Sequence, residues 1–280
     1  MQGRDFPIPP SEGDKGGGSL RAINFKKTMK YKHPIVLSIA GFDPTGGAGV
    51  LSDAKTFEQH GCLGMGVLTG NTIQTEIEFI SVDWFEKQTI ITQLNPILAN
   101  YDISAVKIGI VENLDVLSDI LSLVKIAFPS ASIVWDPVLA ASSGFVLHDS
   151  WNDESLKRIL AMIDLITPNV LEVKRITGIE DEIEAAFQLA KSTHVLLKGG
   201  HSSMRLGVDL LFGEGVPREI PARLDPKLCF QKHGSGCILS AVIASNLALG
   251  KPLFEACQEA KYYIEKRLSS NEHLLAYHVE

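Results

Sequence analysis

The sequence predicts an α/β protein with a mostly parallel central sheet covered by helices on both faces. Three observations carry that prediction. Apolar runs of strand length alternate with helix-length segments at short, regular spacing. The strand runs are apolar throughout rather than at every second residue, as strands buried on both faces are. Most of them end on Gly, Pro, Asn, Asp or Lys, residues that close a strand into a turn or furnish a site at its end. Nothing resembling a linker interrupts residues 33–270, which read as one domain, with 271–280 as a C-terminal tail. Residues 1–32 mix Pro, Gly and charge without a period and read as a disordered or loosely attached arm.

In chain order, PIVLSIAG (34–41) is a buried strand ending on glycine, and FDPTGGAG (42–49) is a turn into a helix over about 50–60. GMGVLTGN (64–71) is a second strand. Residues 81–101 read as a helix with Phe85, Ile90, Leu94 and Leu98 on its apolar side. AVKIGI (105–110) is a strand, residues 113–127 a helix, and ASIVWDPV (131–138) a strand that closes on charge. Residues 153–163 read as helical, 165–169 as a short strand, 170–178 as a helical turn and 180–191 as a helix. THVLLKGG (193–200) is a strand, and GVDLLFG (207–213) with the stretch near 217–230 suggests a hairpin or small antiparallel section. Helices over 236–249 and 252–268 follow.

A formal net charge of −7 on 280 residues, with no basic stretch to offset it, argues against a nucleic-acid partner. Hydrophobic residues make up 45% and charged residues 21%, as in a soluble globular protein. The four cysteines, at 62, 229, 237 and 257, match no CxxC or zinc pattern. The longest apolar stretch, after Cys237, is broken by Ser240, Ser245 and Asn246 and is too short to span a bilayer. The expectation is a cytoplasmic protein with no membrane or nucleic-acid partner.

Four constellations carry chemistry. In HGSGC (233–237), Gly234, Ser235 and Gly236 let the backbone curl tightly ahead of a helix whose first N–H groups favour an anion, and a thiolate at Cys237 would be favoured there too. The same pattern also suits a plain structural cap over a buried cysteine. GFDPTGGAG (41–49) is neither a GxGxxG fingerprint nor a P-loop but permits close backbone approach to a small ligand, and Asp53 in the following helix either accepts from an amine or hydroxyl or complements the helix dipole. Asn169 and Glu172, three apart, serve equally as oxygen ligands for magnesium or as a helix-capping pair. Lys198, at a strand end ahead of Asp209, suits a phosphate or plain solvent.

Taken together, the segments SIAGFDPTGGAGVLSDAKTF (38–57), GMGVLTGNTIQTE (64–76), VKIGIVEN (106–113), VWDPVLAASSG (134–144), LITPNVLEVKRITG (165–178), VLLKGGH (195–201) and HGSGCILSAVIASNLALG (233–250) resemble the hydroxymethylpyrimidine and phosphomethylpyrimidine kinases of thiamine biosynthesis, in the ribokinase superfamily. The resemblance runs in family order over nearly all of 34–268 and implies the three-layer α/β/α ribokinase-like fold. It also implies a kinase using ATP and Mg2+ to phosphorylate the hydroxymethyl group of 4-amino-5-hydroxymethyl-2-methylpyrimidine, and then its monophosphate. By resemblance, Gly234, Ser235 and Gly236 form the anion hole and Cys237 stands where sugar kinases carry an aspartate base. Gly41, Ala48, Asp53, Gln74, Ile110 and Val138 contact the pyrimidine. Asn169, Lys198 and Asp209 serve the nucleotide, Glu172 and Asp136 the metal, and a homodimer is implied. Two departures stand out. Ser142 replaces a frequent lysine, which puts the second phosphorylation in question, and TGNTIQ replaces the usual TALTAQ. A pyridoxal or pyridoxine kinase of vitamin B6 salvage and a non-catalytic vitamin-binding protein on the same fold are the competing expectations.

Overall fold

A computed structural model describes residues 31–139, 153–201 and 206–278. Residues 1–30 of the expected arm, and Ser142 with its loop, lie outside them.

Among the described residues, nine strands form one sheet. In chain order they are β1 (Ile35–Phe42), β2 (Leu63–Gln74), β3 (Phe79–Trp84), β4 (Ile103–Ile108), β5 (Ser132–Trp135), β6 (Leu165–Ile166), β7 (His194–Leu197), β8 (Asp209–Phe212) and β9 (Arg218–Ile220). Their spatial order is β3-β2-β1-β4-β5-β6-β7-β8-β9. The six strands from β2 to β7 in that order are parallel, while β3 at one edge and β8 and β9 at the other pair antiparallel.

Side chains alternate along a strand, so β1 sends Ile35, Leu37 and Ile39 to one core and Val36 to the other. The first core is closed by α2 (Lys87–Asn100), α3 (Leu114–Ala127), α4 (Asp153–Leu160), α5 (Val170–Thr177) and α6 (Glu182–Ala190). The second is closed by α1 (Gly49–Gln59), α7 (Ser235–Ala248) and α8 (Leu253–Leu268). Both faces are therefore covered, which is why the strands read as unbroken apolar runs. In α7 every residue from Ile238 to Asn246 is buried, because the helix lies against β1, β4 and β5 with α1 and α8 beside it.

The helix read over 81–101 starts later, at Lys87. Ser81–Trp84 belong instead to β3, in register with β2 through Thr72 opposite Val82 and Gly70 opposite Trp84. The apolar positions of FISVDW alternate, and pairing across the hairpin outweighs the local helix pattern. As a result β2 runs on to Gln74, and Asn71 is an exposed mid-strand residue rather than a strand end.

β2 lies on one side of β1 and β4 on the other, and the chain leaves β1 for α1 on one face but leaves β4 for α3 on the opposite face. Such a reversal opens a crevice beyond the carboxyl ends of the two central strands.

Candidate active site

A cavity of about 870 Å³ occupies that crevice. At one end it is lined by Gly41 of β1, Ala48 of the following turn, Gln74 at the end of β2, Ile110 after β4 and Val138 after β5. Gly41 gives the Ile110 side chain its place: a Cβ would lie 2.5 Å from the Ile110 Cδ1 and displace it. At the other end the lining is mostly apolar, from Leu171 of α5, Leu224, Phe230, and Ile264 and Leu268 of α8. The α7 start, residues 234–237, lines the cavity together with Asp136, Glu172 and Lys198.

The backbone at the α7 start leaves no room for side chains. Gly234, its N-cap, has φ 73°, and a Cβ there would sit 2.0 Å from the Gly47 carbonyl oxygen. Gly49 has φ 61°, and its Cβ would sit 2.3 Å from the Gly41 carbonyl oxygen. The two glycine turns thus meet backbone to backbone. No side chain caps α7, and its first turn carries no acid. The start of α1 at Ala48 and Gly49, which also lines the cavity, has no side-chain cap either, whereas Asn169 caps α5, and away from the cavity Asn113 caps α3 and Asp181 caps α6. A helix start with unspent N–H groups, facing a cavity, is suited to an anion.

Cys237 is half-buried in that first turn, near Gly49, whose backbone N–H favours the thiolate. Burial pushes its thiol up to about 11; Lys107 opposes this, while Asp136 and Asp53 add to it. The thiolate expected from the helix start is therefore not the resting form: desolvation outweighs the favourable end of the helix.

Along the cavity floor, charges alternate, with Asp53 just beneath it. Lys107 of β4 is wholly buried with its Nζ 2.9 Å from Asp53 Oδ2. Burial would lower its pKa, but Asp53 and Asp136 together hold it above the ordinary lysine range. Lys198 Nζ lies 2.9 Å from Asp136 Oδ1 and 3.7 Å from Glu172 Oε2. Burial alone would raise Asp136, yet Lys198 and Lys107 outweigh it and keep this carboxylate below its usual range. Glu172, farther from Lys198, is pushed up by burial.

The expected site residues fall into two sets. Gly41, Ala48, Gln74, Ile110, Val138, Asn169, Glu172, Lys198 and residues 234–237 all line the cavity. Three aspartates do other work than expected. Asp53 does not line the cavity; it accepts from a hydroxyl and an amine, as its chemistry suggests, but these are Ser38 Oγ at 2.5 Å and Lys107. Asp209 reaches the cavity wall, but its Oδ1 is taken by the Gly199 N–H at 2.8 Å and by Lys261 at 3.1 Å, so it shapes the turn after β7. Asp136 accepts from Lys198 and from Thr167 Oγ1 at 3.2 Å, which leaves it a partner of the lysine rather than an open metal ligand.

Among the described residues no three His, Cys, Asp or Glu side chains form a metal cage. The donor set still fits magnesium as kinases hold it, through one carboxylate, waters and substrate phosphates, with Glu172 in place to be that carboxylate. Its neighbour Asn169 is spent locally: its side chain accepts from the Glu172 N–H at 2.9 Å, and Glu172 Oε2 accepts from the Asn169 N–H at 2.7 Å, a complete capping box. Three residues were left without an assigned role by the sequence: Lys107, Asp43 and His233, the last of which could be anything from a ligand to a loop residue. Lys107 ends an apolar strand and Asp43 opens a Pro-Gly turn, both visible as decorated strand ends, but their partners are distant in sequence and only the fold supplies them.

Residues 43–280 match the family model described as phosphomethylpyrimidine kinase. The hydroxymethylpyrimidine/phosphomethylpyrimidine kinase of Staphylococcus aureus strain Mu50 is 36% identical over 244 residues, covering 83% of this chain and 87% of that protein. Among solved structures, the phosphomethylpyrimidine kinase of Clostridium difficile 630 superposes with a TM-score of 0.68 at 31% identity, covering 82% of this chain and 97% of its own. The pyridoxal kinase of Staphylococcus aureus, solved with AMP-PCP, superposes with a TM-score of 0.73 at 25% identity, covering 85% and 89%. No helix among the described residues is long and apolar enough to cross a membrane.

Proposed function

Because the chain belongs to the phosphomethylpyrimidine kinase family, we propose that it transfers the γ-phosphoryl group of ATP to the hydroxymethyl group of 4-amino-5-hydroxymethyl-2-methylpyrimidine, and then phosphorylates the monophosphate. The observation that carries this reading is the uncapped α7 start facing the cavity, flanked by Lys198.

The flat ring lies at the end lined by Gly41, Ala48, Gln74, Ile110 and Val138, where the glycine keeps the backbone close. The nucleotide base lies at the apolar end between α5 and α8. The hydroxymethyl oxygen and the phosphoryl group then meet at the α7 start. The N–H groups of residues 235–237 hold the equatorial oxygens as charge develops on them. Lys198 adds a positive charge from beside Asp136 and Glu172. Glu172 would hold magnesium through water, and that ion supplies neutralisation of phosphate charge. Cys237, a thiol at neutral pH, orients the substrate hydroxyl; a loose transition state asks for position more than for a strong base. Lys107 and Asp53 lie behind and set the field around it.

The product assay tests this directly. The protein is mixed with ATP, magnesium and the hydroxymethylpyrimidine, with pyridoxal and pyridoxine in parallel, and products are resolved by mass spectrometry. Monophosphate and then diphosphate of the pyrimidine are expected. Product from the pyridine vitamers alone would move the enzyme to vitamin B6 salvage, and monophosphate alone would tie Ser142 to a lost second step. Without ATP consumption on any of these substrates, a non-catalytic binding protein is the better reading.

Two further features belong to the same reading. A homodimer is favoured by Ile73, Ile77 and Ile80, which the β2–β3 hairpin leaves 45%, 72% and 57% exposed, and sedimentation tests it. A cytoplasmic location is favoured by four cysteines that are all free.

A further inference from the structure

One buried pair has no part in the chemistry above. Asp43, 1% exposed, lies in the turn after β1, and His233, 7% exposed, lies 190 residues later, directly before Gly234. His233 Nε2 is 2.8 Å from Asp43 Oδ2. A carboxylate only accepts, so the imidazole donates through Nε2.

Asp43 is the organising group of its turn. It accepts from the Thr45 N–H at 2.9 Å, from Thr45 Oγ1 at 2.9 Å and from the Ala48 N–H at 2.8 Å. Those bonds set the approach to the start of α1. Burial would raise Asp43, but His233 and these N–H groups outweigh it and keep it ionised below the usual range. On the other side, the His233 backbone N–H donates to the Leu274 carbonyl at 2.8 Å, so the residue is held from both ends. The imidazole packs over Gly47, where a Cβ would lie 2.6 Å from its Cδ2 and 2.8 Å from Leu275 Cδ2. One residue past Ala48, the Gly49 N–H lies close enough to favour the Cys237 thiolate, and Gly47 meets Gly234 backbone to backbone.

We propose that Asp43 and His233 are positioning residues that lock the turn after β1 to the α7 start, and so fix the thiol of Cys237 and the N–H groups of 235–237 relative to the ring end of the cavity. The proposal rests on the phosphoryl-transfer reading for its consequence in turnover, but not for its geometry. The chain of contacts runs from the substrate-ring turn through Asp43 and His233 to Gly234 without a gap. Two glycine turns that meet backbone to backbone have no side chains of their own to hold them in register, and this pair supplies the tie from one side.

The experiment compares wild type, His233→Ala and His233→Gln, since the glutamine Nε2 can stand where the imidazole donates. Three quantities are read: kcat and KM for the hydroxymethylpyrimidine, the rate at which iodoacetamide alkylates Cys237, followed by mass spectrometry without substrate, and the melting temperature. His233→Ala is expected to lower kcat by about 10²-fold with little change in KM, the effect of misplacing reacting groups by about 1 Å. It is also expected to speed Cys237 alkylation by roughly tenfold, as the sulfur loses its fixed, desolvated place. His233→Gln should restore most of both. An alanine variant alkylated at the wild-type rate overturns the proposal, and so does a glutamine variant that behaves as alanine does while both melt at the wild-type temperature. If wild type phosphorylates none of the heterocycles, the functional reading falls, and the alkylation rates still decide the pair.

Discussion

Among the helix starts that line the cavity, those of α5 and α7 are built in opposite ways. At α5, Asn169 and Glu172 satisfy each other's backbone through a complete capping box, so the helix needs nothing from outside. At α7, Gly234 offers no side chain, no acid stands in the first turn, and the helix behind is buried along nine consecutive residues from Ile238 to Asn246. Burial of its apolar length holds α7 in place, so its start does not have to stabilise itself. That frees its N–H groups for a guest. The difference separates a helix start whose backbone N–H groups are satisfied within the fold, leaving only the Glu172 carboxylate to serve a metal, from one whose N–H groups are left for a ligand, although both read as candidate sites in sequence.

The strongest way to break this contrast is Gly234→Ala. A Cβ would meet the Gly47 carbonyl oxygen at 2.0 Å, in a backbone conformation with φ 73° that side chains rarely adopt. Turnover should fall by about 10³-fold, the upper end of the loss expected from one donor of an anion hole, and stability by roughly 1–3 kcal/mol. Steady-state kinetics and thermal unfolding check both. Next comes Lys198→Met, which removes the cation between Asp136 and Glu172 and leaves two buried carboxylates facing each other. Turnover should drop by about 10²-fold, measured at saturating magnesium.

Cys237 sharpens the contrast through pH. Its thiol is pushed up to about 11, so the protonated form predominates at neutral pH and is lost only as pH rises through that value. Alkylation should therefore climb about tenfold per pH unit through the neutral and mildly alkaline range, and level off near 11 rather than near the ordinary thiol value. Cys237→Ser, which keeps a small hydroxyl donor in place, should retain more activity than Cys237→Ala, with a difference on the order of tenfold. A serine variant no better than alanine would remove the orienting role. The smallest effect belongs to the closed start: Asn169→Ala should cost about 1 kcal/mol of stability and change turnover only a few-fold, because a cap is lost and no ligand contact is. A large loss of turnover there, with stability intact, would move function to α5.

Much of this arrangement was legible in the sequence. Unbroken apolar runs such as IVLSIAGF signalled strands buried on both faces, and the glycines at 234 and 236 marked a tight helix start. The edge strand Phe79–Trp84 was not legible, because a six-residue alternating segment next to a helix takes its identity from the strand it pairs with. The cavity lining was read from strand ends, and that worked wherever the strand ended as expected; it failed at Asn71, where β2 continues. The aspartates show the limit most clearly. Asp53, Asp136 and Asp209 were all legible as polar groups near a site, but whether a carboxylate faces a ligand or a buried lysine depends on Lys107, Lys198 and Lys261, 54, 62 and 52 residues away. His233 could not be ranked between a ligand and a loop residue, since its partner lies 190 residues earlier.

The most direct measurement follows the backbone amides of the two helix starts by ¹⁵N-edited NMR as AMP-PCP is added. The amide protons of Ser235, Gly236 and Cys237 should move downfield as they gain an anionic acceptor, while those of Asn169 and Glu172, already bonded to each other's side chains at 2.7 and 2.9 Å, should move far less. Large shifts at 169 and 172 with silence at 235–237 would contradict the assignment of the phosphoryl group to the open start of α7.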